Sequence, residues 1–426
     1  MSSLDNGQTN AIRILALAET LAKISKDYVS SRHTPEEHLQ LLSAIREIQL
    51  LVETPTETVL RLIYQPPQNA ALRTAVELGV FSILSARSQG KSMVTATEIS
   101  SETGADRALI VRLMRVMSAL GLCSNPKPEV WSANEKTAVM VQPTGKDGVS
   151  CLYDLSVPTL AKLPEYLHLH GYKNPKDYSR SPMQWAVGES QFEWLARDQK
   201  KQALFDSYMS SRRQGKPSWF ETYPVQDLLD GAIQREDAVF IVDVGGNHGH
   251  DLQKFNEMFP TVPGRLVLQD LPTVIKSAPR LEGLETMAYS FYDPQPIKGE
   301  PSWNPQNKML HGKQLIPKSI GARAYTFRAI FHDWPDHICR KILTNTSSAM
   351  EPTYSKLIII DFVLPDTDVP LFQASLDIQM MSIGAGVERS ETQWRELLHS
   401  AGFEIVRICR KNPGMEAVIE AVPMSV

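Results

Sequence analysis

A continuous apolar strand that opens directly into a glycine-rich turn constrains this 426-residue chain more than any other feature. Residues 238–244 read AVFIVDV, and GGNHG follows at 245–249 without a spacer. An uninterrupted apolar run of this length is typical of a strand that is buried on both faces, as in a parallel sheet covered by helices. The run therefore predicts an α/β domain with a tight turn at the carboxyl end of its first strand.

The turn allows two interpretations. Glycine lets the backbone approach a nucleoside-type ligand, and the dinucleotide-binding form of such a turn reads G-x-G-x-x-G. This chain has GGNHG with Asp243 just ahead of it, which favours a ligand without a pyrophosphate, such as S-adenosylmethionine, near Gly245 and Gly246. The alternative is a tight turn that needs glycine for its backbone geometry alone.

Strand and helix patterns alternate through the rest of the second half. The next strand, at 265–269, ends in Asp270, and an acid at that tip can hold ribose hydroxyls. Further strands are predicted at 324–331, 357–362, 403–408 and 417–422, and helices at 336–350 and 390–401. The alternation predicts a doubly wound, Rossmann-like domain of the α/β class.

A histidine and three acids occur where strands of this sheet are expected to end. His332 and Asp333 lie in FHDWPDH, Asp361 ends the strand LIIID, and Glu388 lies in the loop GAGVERS. A single histidine is most often structural, but the carboxyl ends of parallel strands meet at one edge, where this fold builds its sites. We therefore interpret His332 as a base that neighbouring carboxylates orient.

The first half is predicted to be mostly helical. Apolar spacing indicates two helices over residues 10–51 and a third over 70–84, which follows the breaker Pro66-Pro67. We predict three regions along the chain: N-terminal dimerisation helices at 1–65, a winged-helix and helical dimerisation or substrate-lid region at 66–225, and the Rossmann-like domain at 226–426.

The winged-helix pattern consists of two short helices and a hairpin. Thr95 and Glu98 form a capping-box pattern before the first helix, Asp106 can cap the second, and residues 122–131 suggest a small β-wing. The same scaffold binds DNA in some proteins and mediates dimerisation or covers a substrate in others.

Charge favours the second use of this scaffold. The would-be recognition helix carries Arg107, Arg112 and Arg115, but apolar side chains dominate it. The chain has 48 acidic and 44 basic side chains, a net charge of −4, so its overall field repels nucleic acid. We expect no nucleic-acid partner.

Other compositional features exclude several classes of protein. The four cysteines lack C-x-x-C spacing, which indicates neither a disulfide framework nor a zinc cluster, and we expect no metal site. The N-terminus is polar and no apolar run reaches the ~18 residues of a membrane span, so we expect a cytoplasmic protein without membrane contact.

The aromatic residues between 150 and 218 fit either a core or the wall of a pocket for a flat organic substrate.

Five segments resemble, in order, the motifs of the caffeate/flavonoid-type S-adenosylmethionine-dependent O-methyltransferases, and the fungal secondary-metabolite branch is the closest match. The segments read VDVGGNHGHDL, LVLQDLP, FHDWPDHICRKIL, LIIIDFVLPD and LDIQMMSIGAGVERSETQWRELLHSAGF. The resemblance covers the chain from about Pro66 to its C-terminus. It implies a winged-helix dimerisation domain, a homodimer, and a Rossmann-like catalytic domain that binds S-adenosylmethionine.

The resemblance also implies a role for each matching residue. His332 would be the general base that takes a proton from a substrate hydroxyl, while Asp361 and Glu388 orient its ring. Asp361 stands where plant relatives carry Glu. Asp333 and Met380 would border the substrate, and the cofactor would be held by Gly245, Gly246, Asp270, Leu271, Ser290, Phe291 and Arg328, the last standing where the family often has Lys.

The sequence departs from the family pattern at three places. The family places Asp at the tip of the third strand, and Ser290 here would forgo a charge-assisted hydrogen bond worth roughly 1.5–3 kcal/mol. Asn247 replaces the middle glycine of the turn, and Asn adopts left-handed backbone geometry more readily than most residues. Residues 300–320 form a polar, proline-containing insertion, which predicts an exposed loop.

These observations predict an enzyme that methylates a phenolic or enolic hydroxyl of an aromatic or polyketide-like small molecule. A phenol is a poor nucleophile until it loses its proton, and a neutral imidazole is well suited to collect that proton near neutral pH. Two alternatives use the same fold: a pericyclase that keeps the sulfonium cofactor without methyl transfer, and an inactive relative that only binds it. A winged-helix DNA-binding regulator is a third alternative.

Overall fold

The computed structural model describes residues 2–29, 34–88, 93–212, 216–279, 281–299, 309–310, 313–314, 321–412 and 414–424. The chain divides into two compact units, Met1–Tyr153 and Asp154–Val426. Within these described ranges, no helix is both long and apolar enough to cross a bilayer.

The first unit is helical with one small sheet. Its helices are α1 (Ser2–Val29), α2 (Pro35–Val52), α3 (Pro55–Ile63), α4 (Gln65–Glu77), α5 (Val80–Ser88), α6 (Ala96–Thr103), α7 (Arg107–Ala119) and α8 (Glu135–Met140), and α9 (Pro143–Leu169) contains the boundary between the units. The strands β1 (Val94–Thr95), β2 (Ser124–Lys127) and β3 (Val130–Ser132) form an antiparallel sheet in the order β1-β3-β2.

The two predicted N-terminal helices are confirmed, whereas the third predicted helix is divided and one further helix was not predicted. The single helix predicted over 70–84 is divided into α4 and α5, because Gly79 adopts a left-handed conformation with φ of 70°. Helix α3 was not predicted, although Thr54 and Glu57 form a capping box at its start that the sequence displays.

The helix, helix, wing arrangement is confirmed by α6, α7 and the hairpin of β2 and β3. The Thr95 side chain accepts a hydrogen bond from the Glu98 amide in a capping box, and Asp106 accepts from the first amides of α7. Five side chains of α7 are buried in the core of this unit, and Arg107 forms an ion pair with Glu129. Helix α7 is therefore primarily a packing element.

The second unit is a sheet with helices. The remaining helices are α10 (Pro182–Val187), α11 (Gln191–Ala196), α12 (Gln199–Ser211), α13 (Gln226–Asp230), α14 (His250–Met258), α15 (Pro272–Ser277), α16 (Asp336–Ser347), α17 (Leu371–Gly384) and α18 (Glu391–Ser400). The remaining strands are β4 (Val239–Val244), β5 (Arg265–Asp270), β6 (Leu284–Ala288), β7 (Met309–Leu310), β8 (Lys313–Gln314), β9 (Ala322–Arg328), β10 (Lys356–Asp361), β11 (Val363–Leu364), β12 (Arg389–Ser390), β13 (Phe403–Cys409) and β14 (Ala417–Pro423).

Seven strands form the main sheet in the order β13-β14-β10-β9-β4-β5-β6. Five neighbouring strands of this sheet, β6, β5, β4, β9 and β10, run parallel to one another. Strand β14 runs antiparallel to both of its neighbours, β10 and β13. All six residues of β4 are buried, as the apolar run predicts, and apolar cores cover the sheet on both faces. The doubly wound α/β fold is confirmed, with an antiparallel hairpin at one edge that the strand pattern alone did not indicate.

The insertion predicted as an exposed loop at 300–320 lies outside the described residues, apart from two short strands. These strands, β7 and β8, pair antiparallel.

Candidate active site

The centre of the main sheet contains a topological switch point. From β4 the chain continues to β5 on one side, while β9 and then β10 lie on the other. In open α/β sheets, ligands bind beyond the carboxyl ends of strands at such a point. Gly245 follows β4 and Arg328 ends β9, so the candidate residues belong to this place in the fold.

Packing within the chain requires glycine in the turn after β4. Gly245 has φ of 72°, and a Cβ there would lie 2.6 Å from the Ile330 side chain. A Cβ on Gly246 would overlap the Asp243 carboxylate. Asn247 adopts the left-handed conformation expected of it, with φ of 55°. The backbone interpretation therefore accounts for these glycines, and the same bare backbone leaves the turn open to a close ligand.

Asp270 connects this turn to the next helix. One carboxylate oxygen accepts a hydrogen bond from the Asn247 amide at 2.8 Å, and the other accepts from the Leu271 amide at 2.7 Å. Burial raises the pKa of the Asp270 carboxyl. The Leu271 side chain is 50% exposed ahead of α15, so it is open to a ligand.

Ser290 and Phe291 follow β6. The Ser290 hydroxyl accepts a hydrogen bond from the Tyr292 amide at 3.4 Å. The Phe291 ring lies 5.1 Å from the Tyr292 ring and 6.1 Å from the Trp334 ring, both in edge contacts. Phe291 thereby packs against the turn that carries His332.

Arg328 is bound by two carboxylates. Its guanidinium donates to Asp251 at the start of α14 at 2.8 Å and to Glu416 just before β14 at 2.6 Å. The side chain is 10% exposed, and the two carboxylates outweigh burial and raise the Arg328 pKa above its ordinary value. These contacts hold three chain segments together, and the predicted contact of Arg328 with a cofactor stays a prediction.

His332 and the three acids come together after β9. Residues 331–333 form a single 3₁₀ turn, in which His332 is buried. Its Nδ1 lies 2.7 Å from Glu388 Oε1 and 3.9 Å from Asp361 Oδ1, and its Nε2 lies 3.6 Å from Asp333 Oδ1. A neutral ring that donates its Nδ1 proton to Glu388 presents the lone pair of Nε2 on the opposite side.

The loop before Glu388 fixes this arrangement through contacts that the sequence analysis missed. The Val387 amide donates to the His332 carbonyl at 2.9 Å, and a Cβ on Gly386 would overlap that same carbonyl oxygen. The Glu388 amide donates to Asp377 of α17 at 2.9 Å. The motif GAGVERS contains this glycine, but nothing in its pattern identifies the carbonyl group that the glycine approaches.

The carboxylates control the charge of the imidazole. Burial would lower the pKa of His332, but Asp361, Asp333 and Glu388 outweigh burial and raise that pKa to about 10. Burial raises the pKa of Asp361 to about 7, with help from Glu388 and Glu416 and against the effect of His332. Burial likewise raises the pKa of Asp333. Because His332, Asp361 and Asp333 interact at close range, the gain or loss of a proton by one of them changes the pKa of the others.

The same cluster has the composition of a metal-ligand set. Donor atoms of His332, Asp361 and Glu388 lie within 4.8 Å of one another, a grouping able to hold a metal ion, whereas the sequence analysis expected no such cluster. Asp361 Oδ2 and Glu388 Oε2 are buried and have no hydrogen-bond partner among the described residues. The 2.7 Å contact of His332 with Glu388 is a hydrogen-bond distance, and the absence of a metal from the reaction stays a prediction.

An apolar cluster contains Met380, the residue predicted to border the substrate. It is formed by side chains of α9, α10, α11 and α17: Leu155, Met183, Trp194, Leu195, Met380 and Ile383. Of the aromatic residues in question, Trp194 is buried in this cluster, whereas Phe192 and Tyr172 are 47% and 73% exposed. Tyr178 packs 5.2 Å from the Trp334 ring. The core interpretation is confirmed for Trp194, and the interpretation of the exposed aromatic residues as a pocket wall stays a prediction.

Two family models match the chain. Residues 65–143 match the O-methyltransferase dimerisation domain, and residues 300–404, which include His332, Asp361 and Glu388, match the O-methyltransferase domain.

Several known proteins are similar over nearly their whole length. The methyltransferase cfoC of Aspergillus candidus is 33% identical over 96% of each chain. Demethylsterigmatocystin 6-O-methyltransferase of Aspergillus parasiticus is 30% identical over 94% of this chain and 97% of its own. Two solved structures, described as LepI in complex with S-adenosylmethionine and as a pericyclic reaction enzyme, each share 27% identity and a TM-score of 0.81, covering 96% of this chain and 100% of theirs.

Proposed function

Because the chain belongs to the S-adenosylmethionine-dependent O-methyltransferases, in their fungal secondary-metabolite branch, we propose that His332 is its general base. We propose further that the protein methylates a phenolic or enolic hydroxyl of an aromatic or polyketide-like molecule. The observation that carries the proposal is the hydrogen bond of 2.7 Å between His332 Nδ1 and Glu388. When the ring is neutral, that bond selects the tautomer whose Nε2 lone pair can accept a proton, the form that a base requires. Because the carboxylates raise the His332 pKa to about 10, this form predominates only in alkaline solution.

The residues beyond β4 and β5 fit the cofactor. S-adenosylmethionine supplies an electrophilic methyl group on a sulfonium. The glycine turn has no side chains at 245 and 246, and the positions where a Cβ would lie are filled by neighbouring side chains, so a ligand at this turn would approach its backbone. Gly245, Gly246, Asp270 and Leu271 would hold the nucleoside, with Ser290 and Phe291 at the tip of the third strand and Arg328 at the end of β9.

The carboxylates around His332 have distinct duties in this proposal. Glu388 holds the ring through Nδ1, and Asp361, at the end of β10, adds negative charge that stabilises the ring after it has gained a proton. Asp333 lies on the Nε2 side, 3.6 Å away, where it would border the substrate hydroxyl. Such a base is worth roughly 10²–10⁴-fold in rate, and orientation of the reacting atoms can supply roughly 7–11 kcal/mol more.

An apolar wall supports the substrate class. The apolar cluster around Met380 and Trp194 would stand beside the substrate, and apolar and aromatic side chains suit a flat organic molecule. One relative is named for methylating an oxygen of demethylsterigmatocystin, which is consistent with a ring hydroxyl as the acceptor here.

The proposal is tested by incubating the purified protein with S-adenosylmethionine and a panel of phenols, enols and hydroxylated polyketides. We expect one product that is heavier by a single CH₂ and the release of one equivalent of S-adenosylhomocysteine. The resemblance to the pericyclic reaction enzyme defines the competing result: a product of unchanged mass or one that has lost water, formed while S-adenosylmethionine is not consumed.

The carboxylates predict a pH dependence. Replacing Asp361 by Asn removes one charge that raises the His332 pKa, so the neutral imidazole forms at lower pH. The acidic limb of kcat/KM should therefore move to lower pH by about 1–3 units, the usual effect of a nearby charge. The measurement is a pH profile from pH 6 to pH 11, which spans the His332 pKa of about 10 and the expected shift.

Asp361→Glu is the matched control, because it keeps the charge and restores the residue of plant relatives. Its acidic limb should stay near that of the unmodified protein. A limb that stays in place or moves to higher pH in Asp361→Asn would contradict the assigned role of Asp361.

The family forms homodimers through its dimerisation domain, and we further infer that the helices preceding residue 65 extend that interface. Helix α3 buries none of its side chains, including the apolar ones: Val59 is 55% exposed and Ile63 is 59% exposed. Exposed apolar side chains four residues apart form one helix face. This face ends where the matched dimerisation segment begins, which favours a second copy of the chain as its partner.

The double substitution Val59→Glu/Ile63→Glu should therefore weaken the dimer. Carboxylates cannot be buried unpaired without a large cost, so we expect the dimer to dissociate at a protein concentration at least roughly tenfold higher than for the unmodified chain, a change of about 1.4 kcal/mol. Sedimentation velocity over a dilution series measures it. Lys254→Glu, at an exposed position of α14 in the other unit, should leave the dimer unchanged, and equal dimerisation of both variants would refute this use of α3.

A further inference from the structure

Arg389 has an environment that the proposed function does not yet use. Its side chain is 1% exposed, and all three of its nitrogens donate hydrogen bonds. Its charge is balanced by Asp336 at the start of α16, whose oxygen accepts from Nε at 3.0 Å and from Nη2 at 2.8 Å. A buried cation is retained only at sites where such contacts compensate its loss of water.

The other contacts of Arg389 go to the turn that carries His332. Nη1 donates to the carbonyl of Phe331 at 2.9 Å, and Nη2 donates to the carbonyl of Trp334 at 2.8 Å. These two carbonyls flank the dipeptide His332-Asp333 on either side. One rigid guanidinium therefore spans the turn from end to end.

The same guanidinium also fixes the chain segment of Glu388. Nη1 donates to the Val387 carbonyl at 3.3 Å, and the Val387 amide donates in turn to the His332 carbonyl. Glu388 lies between Val387 and Arg389, so the backbone on both sides of this acid is held against the turn. The position of His332 relative to Glu388 thus depends on where the planar guanidinium group of Arg389 lies and how it is oriented.

We propose that Arg389 is a positioning residue that sets the contact between His332 and Glu388. The proposal rests on the proposed function of His332 as base. Arg389 touches neither substrate nor cofactor in this role; it acts through the two backbone segments that it joins. Lysine cannot replace it, because an ammonium group lacks the planar fork that reaches several acceptors at fixed angles.

The experiment compares Arg389→Lys with Arg323→Lys. Arg323 is the matched control, because it is 6% exposed and donates to three backbone carbonyls, those of Leu228, Tyr354 and Asp227, at the opposite end of β9. Each variant is measured for melting temperature, for calorimetric affinity toward S-adenosylhomocysteine, and for kcat. We expect Arg389→Lys to lower kcat by roughly 10²-fold, since small misplacements of a reacting group cost that much, with cofactor affinity unchanged. Arg323→Lys should lower the melting temperature but not kcat.

A double-mutant cycle with Glu388→Gln separates positioning from mere stability. If Arg389 acts through the contact of His332 with Glu388, the loss caused by Arg389→Lys should be much smaller once Glu388 is already changed, since coupled residues are not additive. Additive losses, or a full kcat in folded Arg389→Lys, would overturn the proposal. If His332→Gln alone leaves turnover intact, the proposed function of His332 as base is wrong. That result is distinct from a failure of the Arg389 proposal, in which His332→Gln still abolishes turnover.

A pH profile adds a readout that a structural role would not move. The charged and titratable groups facing the imidazole are Asp333 of its own turn, Asp361 at the end of β10 and Glu388 of the facing loop, with Asp377 of α17 bound to the Glu388 amide and Arg212 after α12 acting on Asp333. Loosening the contact with Glu388 should move the acidic limb of kcat/KM in Arg389→Lys to lower pH.

If Arg389→Lys does not fold, the variant Asp336→Asn tests the proposal instead. The Asp336 side chain is 53% exposed, and asparagine keeps an oxygen that can accept from the guanidinium while it removes the charge that holds Arg389 in place. This variant is therefore expected to fold with a less firmly held guanidinium. A fall in kcat with unchanged affinity for S-adenosylhomocysteine supports the proposal, and an unchanged kcat overturns it.

Discussion

Replacing His332 by glutamine should lower kcat by roughly 10²–10⁴-fold, the usual worth of a general base, while S-adenosylhomocysteine still binds. Glutamine keeps a polar group of similar length but has no nitrogen that accepts a proton near neutral pH. His332 is buried against Glu388 and Asp361, and it lies on a different strand end from the glycine turn. The loss should therefore appear in turnover and not in cofactor affinity.

The measurement is single-turnover methylation by mass spectrometry together with calorimetry. His337→Gln is the matched control, because His337 is an exposed residue of α16 only five positions away, and it should keep full activity. If His332→Gln retained turnover within a factor of about three, the small end of what one lost interaction costs, His332 would not be the base.

Replacing Asp270 by alanine should weaken the binding of S-adenosylmethionine and S-adenosylhomocysteine by roughly 10²-fold or more. Two causes add. The carboxylate would hold the ribose hydroxyls through charge-assisted hydrogen bonds, worth roughly 1.5–3 kcal/mol each. It also accepts from the amides of Asn247 and Leu271, so its removal frees the glycine turn from the start of α15.

Calorimetric titration of Asp270→Ala with S-adenosylhomocysteine measures this loss without any substrate. Asp293→Ala supplies the comparison, since Asp293 is an exposed acid near the tip of the next strand and should bind as the unmodified protein does. Affinity in Asp270→Ala that equals that of Asp293→Ala would remove Asp270 from the cofactor site. Loss of His332 and loss of Asp270 are thus expected to have opposite signatures.

The sequence was sufficient to predict the parts of the fold that local chemistry determines. The run at 238–244 is the fully buried strand β4 because only a central strand of a covered sheet tolerates such a run. Thr95 with Glu98 predicts the start of α6 because a capping box is a contact between residues three apart. Helix α3 has the same signal in Thr54 and Glu57, so its start was predictable from the sequence as well.

Contacts between distant residues were harder to foresee. The convergence of His332 with Asp361 was predictable, because β9 and β10 are parallel strands that end at one edge. Glu388 lies in the loop before β12, outside the main sheet, and strand order does not explain its approach to His332. The binding of Arg328 by Asp251 and Glu416, which are 77 and 88 positions away, was not. Arg389 likewise reaches carbonyl groups more than 50 positions away, and a sequence shows no pattern for backbone acceptors. The division of the helix predicted at 70–84 depended on the conformation of Gly79, which spacing alone does not reveal.

The exposed face of α3 affects how the chain survives after synthesis. A helix of nine residues is too short to be stable by itself in water, and this one buries no side chain in its own chain. With α3 in the dimer interface, as proposed above, its persistence would depend on mass action: the more copies are present, the larger the fraction that is paired and protected. Heterologous expression at low yield would leave solitary chains whose apolar helix attracts chaperones and proteases, so the yield of intact protein should rise more steeply than in proportion to the amount synthesised.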